Sequence, residues 1–313
     1  MDNDSCSTAK KGFPEGYWSK DELKDNFLDE QRKYLWNKDY WRNVLVPLLK
    51  LKQDSVILDV GCGLGFLGQN LAEFVPNGKI IGVDSDAKLI EAAKKIVNHS
   101  KFGEVFGFCV GNAYELPVDS DTIDLSICQT LLGHLEKPMK AVSEMRRVTK
   151  KGGGVVAIEQ DYSGVSSFDS AFEKIGYSLE ERVKLWRLDR ILSIGKKKMG
   201  KGEWEIGLKV PYLFFKGGLH VADVRCMDRV HWLIPPYQGQ ELQLKHILLP
   251  PEFMVEIIDM HNQFLAGGGT EDEWVEYFDL MKKLHEIRQQ QIKEETFVCL
   301  SSTSIMVTIA KKI

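Results

Sequence analysis

The sequence lacks paired cysteines. Its six, Cys6, Cys62, Cys109, Cys128, Cys226 and Cys299, are scattered over 313 residues with no CxxC spacing, and several fall inside apolar runs. That scatter fits neither a zinc site nor a disulfide framework. It reads as reduced, buried thiols of an intracellular protein. Long apolar runs are missing as well, none approaching the ~18 residues of a membrane span. The opening dozen residues, MDNDSCSTAKKG, contain no apolar core of a secretory signal, so the expected address is the cytoplasm. There is no surplus of positive charge either. A net charge of -4, with 27% charged and 43% hydrophobic residues, describes an ordinary globular chain that needs no polyanionic partner. Its densest basic cluster, Lys196, Lys197, Lys198 and Lys201, has no interleaved aromatics. It reads as a solvated loop, not a nucleic-acid surface.

What the sequence does have is concentrated at residues 55–68, SVILDVGCGLGFLG. The apolar run Val56, Ile57, Leu58 suits a buried parallel strand. Asp59 follows, then Gly61, Gly63 and Gly65 alternate with Cys62 and Leu64 before a helical pattern begins at Phe66. Closely spaced glycines let the backbone turn sharply and come within contact distance of a ligand.

From there the pattern alternates. A helix at 66–75 leads to a strand at 79–84 that ends in an acid. Ser85 is a candidate cap for the next helix, with Leu89, Ile90, Ala93, Ile96 and Val97 on one face. Further strands fit 105–110, 123–128 and 155–159, with a helix at 138–149 and a glycine-rich stop behind it. Alternating strands and helices predict parallel βαβ units, hence an α/β fold with an open, doubly wound sheet. In such sheets ligands bind beyond the carboxyl ends of the strands, where strand order reverses. Asp59, Asp84, Asn112, Gln129 and Glu159 all fall at or just after such ends.

Elsewhere the pattern is helical or mixed. Residues 19–48 carry an amphipathic, aromatic-rich pattern expected to pack on the main domain or cover the glycine turn. Beyond Glu159 amphipathic helices are expected within 168–192, a basic loop at 195–202, a short helix at 211–216, a sixth strand at 220–232 and a last one at 303–310. Residues 235–295 offer two helices, 251–265 and 271–291, and read as a helical cap inserted between the last two strands. The expected organisation is a tail and helical lid over 1–50, a core domain of 51–234 and 296–313, and a cap of 235–295. Trp186, Trp204, Trp232, Phe214 and Phe215 are expected to fill the core of the cap or to line an apolar acceptor pocket.

A glycine turn after the first strand, an acid after the second and a polar residue after the third form a nucleoside-binding layout. A carboxylate at Asp84 can accept hydrogen bonds from two vicinal ribose hydroxyls. Residues 63–68 also match GxGxxG, a signature of dinucleotide sites. Asp59, however, places negative charge at the turn, where a pyrophosphate would be repelled. An acidic rim of Asp59, Asp84, Glu159 and Asp161 favours a cationic nucleoside such as S-adenosylmethionine. Asp59 also fits a plainer role, ordering the loop through backbone N–H groups.

These motifs resemble those of class I S-adenosylmethionine-dependent methyltransferases. The likeness runs from Val56 to Glu159, through LDVGCGLG (58–65), GVD (82–84), GNAYELP (111–117), DLSICQTLLGHLEKP (124–138) and KKGGGVVAIE (150–159). It is nearest the small-molecule branch that includes the ubiquinone and menaquinone biosynthesis methyltransferases. The resemblance implies a Rossmann-like, seven-stranded, mostly parallel sheet whose last strand is antiparallel. It further implies that Gly61 and Gly63 face the methionine part of the cofactor, Asp84 the ribose, Ser85 the adenosine edge, Asn112 and Ala113 the adenine, and Gln129 the methionine end. S-adenosylhomocysteine would be the product.

In-line alignment of acceptor and methyl supplies most of what such a reaction needs, with no metal and no nucleophile triad. His134 is the candidate general base. Glu159, Gln160, Asp161 and Tyr162, after the fifth strand, are placed where a small-molecule acceptor would sit. A nicotinamide-dependent oxidoreductase and a catalytically idle cofactor-binding protein are the alternatives.

Overall fold

The computed structural model describes residues 37–98, 100, 102–227 and 230–313. The aromatic-rich pattern at 19–36 lies outside them. Its continuation is helical, a run from 38 to 49 (α1) containing one π turn, Trp41–Leu45.

The strands are β1 (Val56–Val60), β2 (Lys79–Asp84), β3 (Phe106–Val110), β4 (Ile123–Gln129), β5 (Thr149–Asp169), β6 (His220–Cys226), β7 (His231–Leu233) and β8 (Cys299–Lys311). Seven of them form one sheet in the order β3-β2-β1-β4-β5-β8-β6, and short β7 pairs with β8 off that path. β1 to β5 run parallel, while β8 is antiparallel to both β5 and β6. This is the expected doubly wound sheet with its antiparallel strand. Strand order reverses between β1 and β4, which opens a crevice at their carboxyl ends.

Alternation along the strands divides the core in two. Ile57, Ile80, Ile127, Val156 and Ile158 pack on one face with Tyr40, Trp41 and Leu45 of α1 and with Leu67 and Leu71 of α2 (Phe66–Leu71). Leu58, Val60, Val155 and Ala157 pack on the other, against α4 (Pro138–Val148) and α7 (Val210–Lys216). The helix after β2, α3 (Ala87–Asn98), buries Leu89, Ile90, Ala93 and Val97. Its N-terminal amides are satisfied by Asp86, whose Oδ1 accepts from Lys88 and Leu89, while Ser85 is exposed. The cap of this helix is therefore Asp86, one residue later than expected.

The remaining helices are α5 (Ser170–Ile175), α6 (Leu179–Lys198), α8 (Glu241–Ile247), α9 (Pro251–Ile258), α10 (Met260–Gly267) and α11 (Glu271–Lys293). Leu188, Ile191 and Leu192 of α6 form a common core with Met260, Phe264 and Trp274. α6 thus packs as one layer with helices of the 235–295 segment. Its tightest contact is a backbone crossing. A Cβ on Gly195 of α6 would stand 1.6 Å from the Gln263 carbonyl oxygen, and one on Gly267 of α10 would stand 2.0 Å from that of Ile191. Both lie inside any van der Waals limit, so the two helices approach this closely only through glycine.

Several expectations change here. Residues 195–198 are the last turn of α6 rather than a loop, and Lys196 is buried at 2% exposure. The sixth strand is two strands, β6 and β7. The helix expected at 251–265 breaks at Asp259, a non-glycine residue with φ 57°. β5 is far longer than 155–159, because β8 pairs with it across both the sheet and the extension beyond. Of the aromatics, Phe214 is buried in the sheet's second core, Trp204 lies against the cap core, and Trp186, Phe215 and Trp232 are exposed. Cys62 and Cys128 are buried as expected, whereas Cys226 is exposed.

Candidate functional site

The glycine turn closes on the crevice between β1 and β4. Gly61, Gly63 and Gly65 have φ values of 70°, 53° and 76°, the left-handed region that only glycine enters at little cost. The Gly61 and Cys62 amides donate to the Val83 carbonyl at 2.8 and 3.1 Å, tying the turn to the end of β2. A Cβ on Gly61 would lie 2.7 Å from Leu131 Cδ1. The side chain of Leu131, just past β4, therefore rests directly on the turn from the far side of the crevice.

Asp84 ends β2 beside this turn. Its Oδ2 accepts from the Gly63 amide and its Oδ1 from the Asp86 amide, both at 2.9 Å. The carboxylate is half-buried. Asn112, after β3, spends its Oδ1 on the Tyr114 amide at 2.9 Å, and the Gly111 amide donates to the Asp84 carbonyl. Asn112, Ala113 and Gln129 are half-buried along the rim, and Ser85 is exposed beside them. Asp59 lies beneath the turn at 2% exposure. Its Oδ2 would be 3.7 Å from a Cβ on Gly68, so it points under the first turn of α2 instead of onto the rim.

The structure brings together Gly61, Gly63, Asp84, Ser85, Asn112, Ala113 and Gln129 along the strand ends. It separates two of the acceptor candidates from them. Glu159 is 1% exposed, and its carboxylate accepts from the Leu131, Leu132 and Gly133 amides at 2.9, 2.8 and 3.3 Å. Asp161 is also 1% exposed. It accepts from the Ser163 amide at 3.0 Å, from the Ser163 hydroxyl, and from the Leu208 amide at 2.9 Å. Both carboxylates are taken by the protein's own donors and neither faces open space. Tyr162 is the exposed member of the three, its hydroxyl donating to Gln160 Oε1 at 2.5 Å. His134 closes a short 3-10 turn, Leu132–His134, and is half-buried.

Sequence reasoning passed over Lys196. Its ammonium donates to the Gly133 carbonyl at 3.0 Å, which also accepts from the Glu203 amide at 2.9 Å, and lies 5.3 Å from the centroid of the Trp204 ring. Burial pushes the lysine down to about 7, opposed by the charges of Glu159 and Glu203. Burial likewise pushes Glu159 up to about 7, against the pull of its three amides and of Lys196. A signal was present in the sequence: Leu188, Leu192 and Lys196 share one face at four-residue spacing, so the lysine continues a buried stripe.

The glycine turn, the Asp84 carboxylate and the strand-order reversal lie together at the carboxyl ends of a Rossmann-like sheet. Residues 51–191 match the model of a family described as a methyltransferase domain. The Bacillus subtilis demethylmenaquinone methyltransferase is 30% identical over 133 residues, 42% of this chain and 57% of that protein. The corresponding enzyme of Symbiobacterium thermophilum is 30% identical over 125 residues, 40% of this chain and 49% of that protein. An uncharacterized methyltransferase of Schizosaccharomyces pombe is 32% identical over 128 residues, covering 39% and 46%. The matches thus span about half the length of these relatives. In fold, the chain is similar to a candidate methyltransferase of Bacillus halodurans C-125, with a TM-score of 0.53 at 16% identity over 88% of this chain and 99% of that one. The matched stretch, 51–191, is similar to a methyltransferase domain and to the corresponding part of the demethylmenaquinone methyltransferases.

Proposed function

We propose that the protein transfers a methyl group from S-adenosylmethionine to a small-molecule acceptor bound between the strand ends and the cap. The observation that carries this reading is the left-handed glycine turn lying under Leu131 with the Asp84 carboxylate beside it. The cradle suits a cofactor that presses on backbone, since a side chain at Gly61 would collide with Leu131. Bound there, S-adenosylmethionine would supply an electrophilic sulfonium methyl group.

The chain's residues then have distinct tasks. Asp84 holds the ribose hydroxyls through charge-assisted bonds. The half-buried Asn112 and Ala113 meet the adenine, Ser85 the adenosine edge, and Gln129 the methionine end. Asp59 contributes negative charge from below the turn, where it opposes a pyrophosphate and favours a cation. His134 is the general base where the acceptor carries a hydroxyl or an acidic carbon. Tyr162 is the acceptor-side contact, because Glu159 and Asp161 are engaged internally. In-line displacement at a methyl asks for alignment and no metal. The relatives named for demethylmenaquinone support a small-molecule acceptor, and the reduced thiols support a cytoplasmic setting, with no nucleic-acid partner.

Calorimetry with S-adenosylhomocysteine and with NAD decides between the methyltransferase and the oxidoreductase. Binding of the former alone is expected, and binding of NAD alone would overturn the proposal. Transfer of labelled methyl to a member of a metabolite panel separates an enzyme from an idle binder.

A further inference from the structure

The turn after β4 is held from both ends by charged groups that come from different layers. Below it, the Glu159 carboxylate of β5 gathers the amides of residues 131–133. Above it, the Gly133 carbonyl receives the Lys196 ammonium and the Glu203 amide. The chain just beyond α6 is pressed onto the same peptide. Gly202, with φ 89°, would place a Cβ 2.2 Å from the Gly133 oxygen, and a Cβ on Gly133 would lie 3.1 Å from the Glu203 oxygen. Gly133 therefore has α6 and its following segment on one side and β5 on the other.

A buried ammonium and a buried carboxylate are costly to desolvate, and well-packed apolar side chains often serve stability as well. Their retention calls for a role that apolar residues cannot fill. Methionine in place of Lys196 would fill the volume but would offer nothing to the carbonyl. What the two charges provide is a fixed orientation for one residue, Gly133, with its amide bound to an anion and its carbonyl to a cation.

We infer that Lys196 is a positioning residue for the donor site: from the cap helix α6 it holds the Gly133 carbonyl while Glu159 holds the amides of residues 131–133, and together they set Leu131 against the glycine turn. The inference rests on the cofactor reading above. Lys196 does not touch the cofactor; it acts through the turn. Seating of α6 on the core and affinity for the donor are consequently linked, because α6 brings the ammonium and Leu131 walls the cradle.

The test uses the full chain with Lys196→Met, Lys196→Arg, Glu159→Gln and the double variant Lys196→Met/Glu159→Gln. Two quantities are read: S-adenosylhomocysteine affinity by calorimetry, and hydrogen exchange at the amides of residues 131–133 without added ligand. Each of Lys196→Met and Glu159→Gln is expected to weaken binding by roughly 5- to 30-fold and to speed exchange at those three amides at least tenfold. The double variant is expected to fall short of the product of the two losses, since both act on one turn. Lys196→Arg, which keeps a cationic donor, is expected to retain more affinity than Lys196→Met, and it carries the test if Lys196→Met does not fold. Folded variants with affinity within twofold of the parent, or with unchanged exchange at 131–133, would overturn the inference and leave the proposed function standing. A parent protein that fails to bind S-adenosylhomocysteine would overturn both.

Discussion

Asp84 serves the architecture of the strand ends and, in the proposed function, the ligand as well. Its carboxylate ties the glycine turn to the start of α3 through the Gly63 and Asp86 amides. Asp84→Ala is expected to weaken S-adenosylhomocysteine binding by more than ~1.5 kcal/mol, about tenfold or more, the range for bonds to a charged acceptor; calorimetry reads it, and an unchanged affinity would contradict the ribose role. His134→Ala is expected to cut turnover while leaving cofactor affinity within about twofold, measured once an acceptor is found. Near-normal turnover would remove the histidine from the chemistry. The buried pair makes a pH prediction with opposite signs on its two members. Glu159 is raised in the fold, from 4.5 to about 7, so its stabilising contribution is present below pH 4.5 and lost as pH rises to about 7. Lys196 is lowered, from 10.5 to about 7, so its contribution is present above pH 10.5 and lost as pH falls to about 7. Urea unfolding of parent and Glu159→Gln should therefore show the parent losing ground to the variant between pH 4.5 and 7. Parent and Lys196→Met should show the parent losing ground as pH falls from 10.5 to 7.

At the level of elements, the crossing of α6 and α10 is the most demanding contact in the cap. Gly195→Ala is expected to destabilise by about 1–3 kcal/mol, as overpacking does, with a lowered urea midpoint, and Gly267→Ala similarly. A variant as stable as the parent would mean that the helices separate at little cost. The strands of the donor half were legible because local and global signals agree there. β2 begins at Lys79 and ends at Asp84 as the sequence says, since alternation, the preceding turn and the terminal acid all coincide. β5 was not legible past Glu159. Its glycines at 152–154 look like a helix stop; pairing with β4 and with β8, the latter more than a hundred residues away in sequence, makes that segment a strand, and β8 alone carries the extension to Asp169. The break at Asp259 was invisible for the same reason. Neither glycine nor proline stands there, but its carboxylate accepts from Lys201 and Asn262, both at 2.6 Å. Among site residues, those on the strand ends were readable from spacing, whereas the burial of Glu159 and Asp161 depends on amides brought in by other segments.

For the whole molecule, the proposed function assigns donor and acceptor to different layers: the sheet would hold the cofactor, and the layer of α6 and the later helices meets the sheet at the 131–134 turn. A ligand that binds only the native state at 100 times its dissociation constant adds ~2.7 kcal/mol of stability. Saturating S-adenosylhomocysteine should therefore raise the unfolding temperature of the chain, and NAD should not. The path from sheet to cap runs along β5, whose pairing with β8 slips between Asp161 opposite Ser304 and Ser166 opposite Ser302: five residues advance on one strand while two advance on the other. Hydrogen-bonded register is already forfeited over this interval, so insertions or deletions of one or two residues at 162–165 need not unzip either flank. The irregularity is therefore a place where the chain can change length while the paired strands on either side keep their register.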